Sequence, residues 1–170
     1  CKYKNNEKKN NKSISFIVPF FNEERNLNKT FNTIKKLIRF YSLTNFEIIL
    51  VNDCSTDASE EISLNFKKKN KKIIYIKHKY NLGLGSTLRT GILASSKNHI
   101  LWVPGDNEHN FQGLKPLLNE FILNDFDIVM PYVINKNSRS YWRRLISLSF
   151  TLFLNIIFFK KIKYFDGCSL

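Results

Sequence analysis

The sequence predicts an α/β fold, a mainly parallel sheet with helices on both faces. Three observations carry that expectation. Short apolar runs alternate with segments of about 10–17 residues whose apolar positions recur at helical spacing. The runs are continuous rather than alternating, as in strands buried on both faces. Each intervening segment is long enough to cross the sheet and return, so the pattern reads as successive βαβ units.

The elements follow in order. Ser13 to Val18 (SISFIV) reads as a buried strand stopped by Pro19. Across 25–41, Leu27, Phe31, Ile34, Ile38 and Tyr41 mark one face of a helix. Phe46 to Val51 (FEIILV) is the second strand. Asp57 and Glu60 form a capping-box pattern, opening a helix with Ala58, Ile62 and Phe66 toward the core. Ile73 to Ile76 gives a third strand, and the turn NLGLGS leads into a helix near 86–97. His99 to Val103 is a fourth strand ending at Pro104-Gly105. A helix over 113–124 and a short strand over Asp127 to Met130 follow. The remaining third holds Arg139, Arg143 and Arg144 and then an apolar helix over 141–159, with Ser147, Thr151 and Asn155 as a narrow polar stripe.

Composition narrows the function classes. The net charge is +13, from 27 basic and 14 acidic residues, and 21 of the basic ones are lysines. Asparagine also occurs 21 times, a bias that an AT-rich coding sequence produces on its own. No zinc-finger or RNA-binding signature accompanies the charge, so no nucleic-acid role is expected. Residues 1–12 are a basic polar tail expected to be disordered, and 13–170 are expected to form one domain. Cys1, Cys54 and Cys168 have neither metal-ligand spacing nor a disulfide framework, which points to a reducing compartment. The chain opens without methionine, as a processed form or a piece of a longer protein would. No run of eighteen apolar residues occurs, so no membrane-spanning helix is expected.

Ligands of open α/β sheets bind beyond the carboxyl ends of the strands, and three polar clusters fall there. Pro19-Phe20-Phe21-Asn22-Glu23 follows the first strand, and its turn suits a planar base with Glu23 accepting a hydrogen bond. Asn52-Asp53-Cys54-Ser55-Thr56-Asp57 follows the second. Asp53 is suited to base or ribose hydrogen bonds, while the residues after it suit a helix cap. Asp106-Asn107-Glu108 follows the fourth. Two carboxylates two residues apart in a loop suit one hard divalent cation, Mg²⁺ or Mn²⁺, with positions left for phosphate oxygens. Asn110 is taken with them as a further oxygen donor. Gly83 and Gly85 permit close backbone approach to an anion, and Arg89 follows one turn later. The third glycine of the dinucleotide fingerprint is absent, which disfavours a hydride-transferring enzyme.

Together these residues resemble the family 2 glycosyltransferases of GT-A (Rossmann-like) nucleotide-sugar-binding fold. The likeness is strongest to the branch of dolichol-phosphate mannosyltransferases and bacterial polyprenyl-phosphate glycosyltransferases. That family's P-x-x-N-E turn, V-D-D-x-S-x-D run, N-x-G turn and D-x-D motif appear as Pro19 to Glu23, Val51 to Asp57, Asn81 to Gly85 and Asp106 to Glu108. Asn52 stands for the usual first aspartate, Cys54 where glycine is common, and Glu108 at the second metal carboxylate. The resemblance implies a GDP- or UDP-sugar donor, Mg²⁺ or Mn²⁺ on Asp106 and Glu108, and transfer with inversion to a polyprenyl phosphate. Arg139, Arg143 and Arg144 would meet that acceptor's phosphate. It also implies that part of the acceptor side lies beyond Leu170. Peripheral attachment to the cytoplasmic face of an anionic membrane through the 141–159 helix is expected. The alternatives are a glycan hydroxyl acceptor, or a non-catalytic fragment that binds nucleotide sugar or membrane.

Overall fold

The computed structural model describes residues 12–124, 126–129 and 141–159, and of Arg143 and Arg144 the backbone alone. The chain divides into two compact units, one running to Val129 and the other covering Met130–Ser169. The first contains β1 (Ile14–Phe20), α1 (Leu27–Phe40), β2 (Phe46–Asn52), α2 (Ser59–Lys69), β3 (Ile73–Lys77), α3 (Leu84–Ala94), β4 (His99–Trp102) and α4 (Phe111–Leu123). The described part of the second holds α5 (Tyr141–Ile157).

All strand pairs are parallel, in the order β3-β2-β1-β4. Side chains alternate along each strand, and the alternation sorts the core into two layers. Phe16, Val18 and Phe20 of β1 face a layer filled by Leu27, Phe31, Ile34 and Leu37 of α1 and by Leu114, Leu117, Leu118 and Phe121 of α4. Phe66 of α2 joins it by stacking on Phe31, with ring centroids 3.9 Å apart. On the other face, Ile17, Ile49 and Val51 pack with Leu88 of α3. Each fully buried Leu, Ile or Phe stabilises by about 1.5–3 kcal/mol, so the α1 and α4 layer supplies most of the hydrophobic stabilisation.

Five sequence expectations need correction. Pro19 does not stop β1 but lies within it, paired with Val51. Its carbonyl accepts from Gly105 N at 3.0 Å, so its absent N–H faces the β4 side, where regular pairing has already ended at Trp102. Glu60 does not complete a capping box. Asp57 Oδ1 accepts from Ser59 N at 3.0 Å, while Glu60 turns to Lys77 Nζ at 2.6 Å. Ala58 is exposed, and Ser59 and Ser63 are the fully buried residues of α2. Residues 126–129 carry no strand; Met130 lies outside the described residues. Of the expected tail, 1–11 lie outside the described residues. Lys12 is tied to the domain, its Nζ donating to Phe121 O and Asn124 O at 2.6 Å each.

The amino edge of the sheet is held by Glu47, which is buried at the start of β2. Its carboxylate accepts from Ser15 Oγ at 2.6 Å, Ser96 N at 2.6 Å and Ser96 Oγ at 2.8 Å. Burial works to raise its pKa, but these bonds outweigh burial and leave it below the ordinary value. A group with a lowered folded pKa stabilises above its unfolded value, about 4.3 for glutamate, and loses that contribution as pH falls through the folded value. Glu47→Gln replaces three bonds to a charged acceptor by bonds to a neutral amide and forces Ser96 Oγ to turn from donor to acceptor, at an expected cost of about 1–3 kcal/mol. Thermal denaturation at pH 7 and pH 3 checks this: the gap between variant and wild type should narrow in acid.

Candidate active site

The strand order fixes where the site lies. From β1 the chain steps outward to β2 and β3, then returns to place β4 on the other side of β1. The carboxyl ends of β1 and β4 therefore flank a topological switch point, where α/β sheets bind their ligands. Past the end of the β1–β4 pairing at Trp102, two single backbone bonds still tie the loop to β1, Val103 N donating to Ile17 O at 2.8 Å and Gly105 N to Pro19 O at 3.0 Å. Asp106 begins immediately after that last bond.

The turn after β1 is stitched to the loop after β2. Asn22 N donates to Ser55 Oγ at 3.0 Å, and Asn22 Oδ1 accepts from Thr56 N at 2.8 Å. Glu23 N donates to Ser59 Oγ at 2.8 Å and Glu24 N to Asp57 Oδ2 at 3.0 Å, while Ala58 N returns a bond to Glu24 Oε2 at 3.1 Å. Burial works to raise the Asp57 pKa, but its hydrogen bonds leave it lowered. Asn22 (φ 55°), Cys54 (φ 67°) and Asn107 (φ 60°) all adopt left-handed backbone in loops that follow strands. Asparagine tolerates this region, whereas cysteine adopts it with strain that a glycine would not carry. Phe21 stands 43% exposed above this frame, and Glu23 is half-buried with Oε2 accepting from Asn26 Nδ2 at 3.0 Å. Pro19 is buried.

Asp53 is placed differently from its expected role. It is buried, and its carboxylate is engaged within the protein. Oδ1 accepts from Leu82 N at 2.9 Å and lies 2.7 Å from His78 Nδ1; Oδ2 accepts from Gly83 N at 2.7 Å. Burial pushes its pKa up, but the bonds from Leu82, His78 and Gly83 outweigh this and leave it lowered. Asp53 thus holds the 81–83 turn as an anion. The Gly83 N–H is consumed in the process, so the backbone donors left at this turn are those of 84–86, which a helix start leaves without intrahelical acceptors. Gly85 and Arg89 are exposed on α3. Asn52 is fully buried, donating to Tyr75 Oη at 2.9 Å and accepting from Ser55 N at 2.8 Å. An aspartate there would accept from the tyrosine instead.

The acidic loop is held from α1. Thr30 Oγ1 donates to Gly105 O at 2.9 Å, and Thr33 Oγ1 lies 3.4 Å from Asn107 Oδ1. Asp106 and Glu108 are both exposed, and Asp106 Oδ1 accepts from Glu108 N at 2.8 Å. Asn110 is the N-cap of α4, its Oδ1 accepting from Gly113 N at 3.0 Å. Among the described residues no group of three or more His, Cys, Asp or Glu side chains is arranged to hold a metal ion by itself. Two exposed carboxylates with no third ligand suit a Mg²⁺-like ion, which takes one or two carboxylates and completes its shell with substrate phosphates and water. The donor set therefore fits such an ion.

Arg139 lies outside the described residues, as do the Arg143 and Arg144 side chains. Sequence reasoning passed over His78 and Thr90, whose spacing resembles no motif. Their role depends on β3 and α3 meeting Asp53.

The fold is that of the GT-A glycosyltransferases. Residues 1–349 of TarS from Staphylococcus aureus match it with a TM-score of 0.60 at 23% identity, over 75% of this chain and 37% of that one. The same protein in complex with UDP-GlcNAc matches with a TM-score of 0.58 at 22% identity, over 75% and 37%. The family model for glycosyl transferase family 2 matches residues 15–169, and the chain belongs to that family. Among curated relatives, glycosyltransferase GlyA of Streptococcus pneumoniae is 38% identical over 55% of this chain and 13% of its own length. Dolichyl-phosphate beta-glucosyltransferase ALG5D of Trichomonas vaginalis is 33% identical over 63% and 34%. Poly(ribitol-phosphate) beta-N-acetylglucosaminyltransferase TarP of Staphylococcus aureus is 30% identical over 76% and 39%. The chain thus spans well under half the length of each of these three relatives.

Proposed function

We propose that this chain carries the donor-binding half of a metal-dependent glycosyltransferase that moves a sugar from a nucleotide diphosphate sugar to a polyprenyl phosphate. The observation that carries the reading is the position of Asp106 and Glu108, exposed at the β1/β4 switch point beside the rigid 21–24 turn. Phe21 offers an apolar face to the base and Glu23 an acceptor; Pro19 and Asp53 support that wall from behind. The N–H groups at the start of α3, with Arg89, face the diphosphate. Asp106 and Glu108 would hold a divalent cation, which when bound would supply charge neutralisation at the leaving diphosphate. In the transfer, the anomeric carbon's bond to the diphosphate oxygen breaks with its electron pair, and an acceptor oxygen bonds from the opposite face, inverting the centre. A phosphate acceptor is already ionised near neutral pH and needs no general base.

The acceptor class draws support from the dolichyl-phosphate relatives. A second reading, transfer to a glycan hydroxyl, is favoured by the likeness to TarP. Incubation with radiolabelled GDP- or UDP-sugar, Mn²⁺ and a lipid extract separates the two. Label in the organic phase is expected. Label only on added glycan supports the second reading, and donor binding without any transfer favours a chain that binds nucleotide sugar without turning it over.

The acceptor's membrane is met, in this reading, through α5. No helix among the described residues is long and apolar enough to cross a membrane. The 17 residues of α5 reach about 25 Å at ~1.5 Å each, against a hydrocarbon core of about 30 Å. Trp142, Ile146, Leu152, Phe153 and Ile156 are all more than half exposed, whereas Ser147, Thr151 and Asn155 are half-buried. The sequence places Arg143 and Arg144 near one end and Lys160, Lys161 and Lys163 beyond the other. Basic residues at an anionic leaflet contribute about 1 kcal/mol each. Co-sedimentation with anionic vesicles is therefore expected, weakened by salt and by replacing Arg143 and Arg144 with alanine. Equal binding to neutral vesicles would remove the electrostatic part of this account.

A further inference from the structure

His78 follows β3 directly, is 8% exposed and is bonded through both ring nitrogens. Nδ1 lies 2.7 Å from Asp53 Oδ1 and Nε2 2.9 Å from Thr90 Oγ1, while its backbone N–H donates to Asn52 O at 2.8 Å. A carboxylate can only accept, so Nδ1 carries a hydrogen. The Thr90 hydroxyl can donate to Nε2 or accept from it, and either arrangement preserves the Nδ1–H. One ring thereby joins the end of β2, through Asp53, to the second turn of α3, through Thr90. Asp53 in turn receives the N–H groups of Leu82 and Gly83.

Apart from Asp53, the 81–85 turn is held by bonds from its own helix, Ser86 Oγ to Leu82 O at 3.0 Å and Thr87 N to Gly83 O at 3.2 Å, with Thr87 buried. Leu82 and Leu84 are 56% and 52% exposed, so apolar burial does not anchor it. Gly83 sits at φ +82° with open space around it, a conformation that packing does not enforce. Its N–H is shared between Asp53 Oδ2 at 2.7 Å and Asn81 Oδ1 at 3.2 Å, the latter an exposed contact within the turn itself. Thr87 and Gly91 seat the body of α3 on the sheet, whereas the Leu82 and Gly83 N–H groups are tied to the sheet through Asp53, whose carboxylate is in turn held by His78.

We propose that His78 is a positioning residue: with Thr90 it locks the Asp53 carboxylate, and so fixes the 81–85 turn and the start of α3 against the diphosphate of the donor. The diphosphate part rests on the donor reading above; the lock itself does not. Two measurements on the 170-residue chain keep these apart. Amide hydrogen exchange at Leu82 and Gly83, without any nucleotide, should be about tenfold faster in His78→Leu, the effect of losing one charge-assisted hydrogen bond. His78→Asn, whose side-chain N–H occupies the Nδ1 position, should restore most of the protection. Thr90→Val, which keeps its shape, should give an intermediate value and carries the test if His78→Leu fails to fold. In donor kinetics His78→Leu should raise KM about tenfold with kcat little changed, again relieved in His78→Asn. A merely structural role would lower the active fraction and leave KM alone. Wild-type exchange at Leu82 and Gly83 in His78→Leu, or the same loss in His78→Asn, overturns the lock. Altered exchange in a chain that binds no nucleotide sugar supports the lock and contradicts the donor reading.

Discussion

Asp106→Ala is expected to lower sugar transfer by about 10²–10³-fold, the scale of removing one preorganised group that stabilises transition-state charge. The variant also removes the acceptor for Glu108 N, so shape and charge change together. Asp106→Asn separates them. Its amide oxygen still accepts from Glu108 N, and the loop remains held by Thr30 on Gly105 O. Wild-type thermal stability with metal-dependent nucleotide binding abolished is the expected result for Asp106→Asn. Retained binding at unchanged Mn²⁺ dependence would show that the carboxylate is not a ligand.

Gly105→Val is expected to have the largest combined effect on stability and transfer. A Cβ at Gly105 would lie 2.6 Å from Phe20 Cβ and 3.2 Å from Pro19 O. Neither can yield easily: Phe20 is buried and Pro19 is paired with Val51. Overpacking of this kind costs about 1–3 kcal/mol, which lowers Tm by several degrees in a domain of this size. The strain is relieved by displacing the loop, and the next residue is Asp106. Donor KM should therefore rise together with the loss of Tm. Glu47→Gln is the matched control, because it weakens the opposite edge of the sheet. It should lower Tm with donor KM unchanged in the folded fraction, measured by denaturation and initial rates on the same preparations.

The parts of this fold legible in the sequence are those set by local apolar pattern. Phe46 to Val51 has one period and one partner layer, so strand and core position follow directly. Pro19 misled because the rule against proline in central strands assumes neighbours on both sides for the whole strand length, and β4 ends first. Asp57 and Glu60 have capping-box spacing, but Lys77 on the neighbouring strand competes for Glu60 more strongly than a backbone N–H. The clusters after β1, β2 and β4 were legible as one edge because parallel strands must end together. What each side chain does there was not. Asp53 and Asn110 have the chemistry of ligands, and in the fold one also holds the 81–83 turn while the other caps α4. Those partners lie close only after folding for Asp53, and for Asn110 the cap and ligand roles look alike in sequence. His78 had no local signal, since its two ring contacts come from 25 residues before it and 12 after it.

The central claim is that this edge binds a nucleotide diphosphate sugar through a cation on Asp106 and Glu108. Calorimetric titration of the wild-type chain with GDP- and UDP-sugars, with Mn²⁺ and then with chelator, tests it most directly. The account predicts saturable binding of one donor in Mn²⁺ that is lost with chelator and absent in Asp106→Asn. Binding of equal strength with and without the cation, or binding to neither nucleotide, would contradict it.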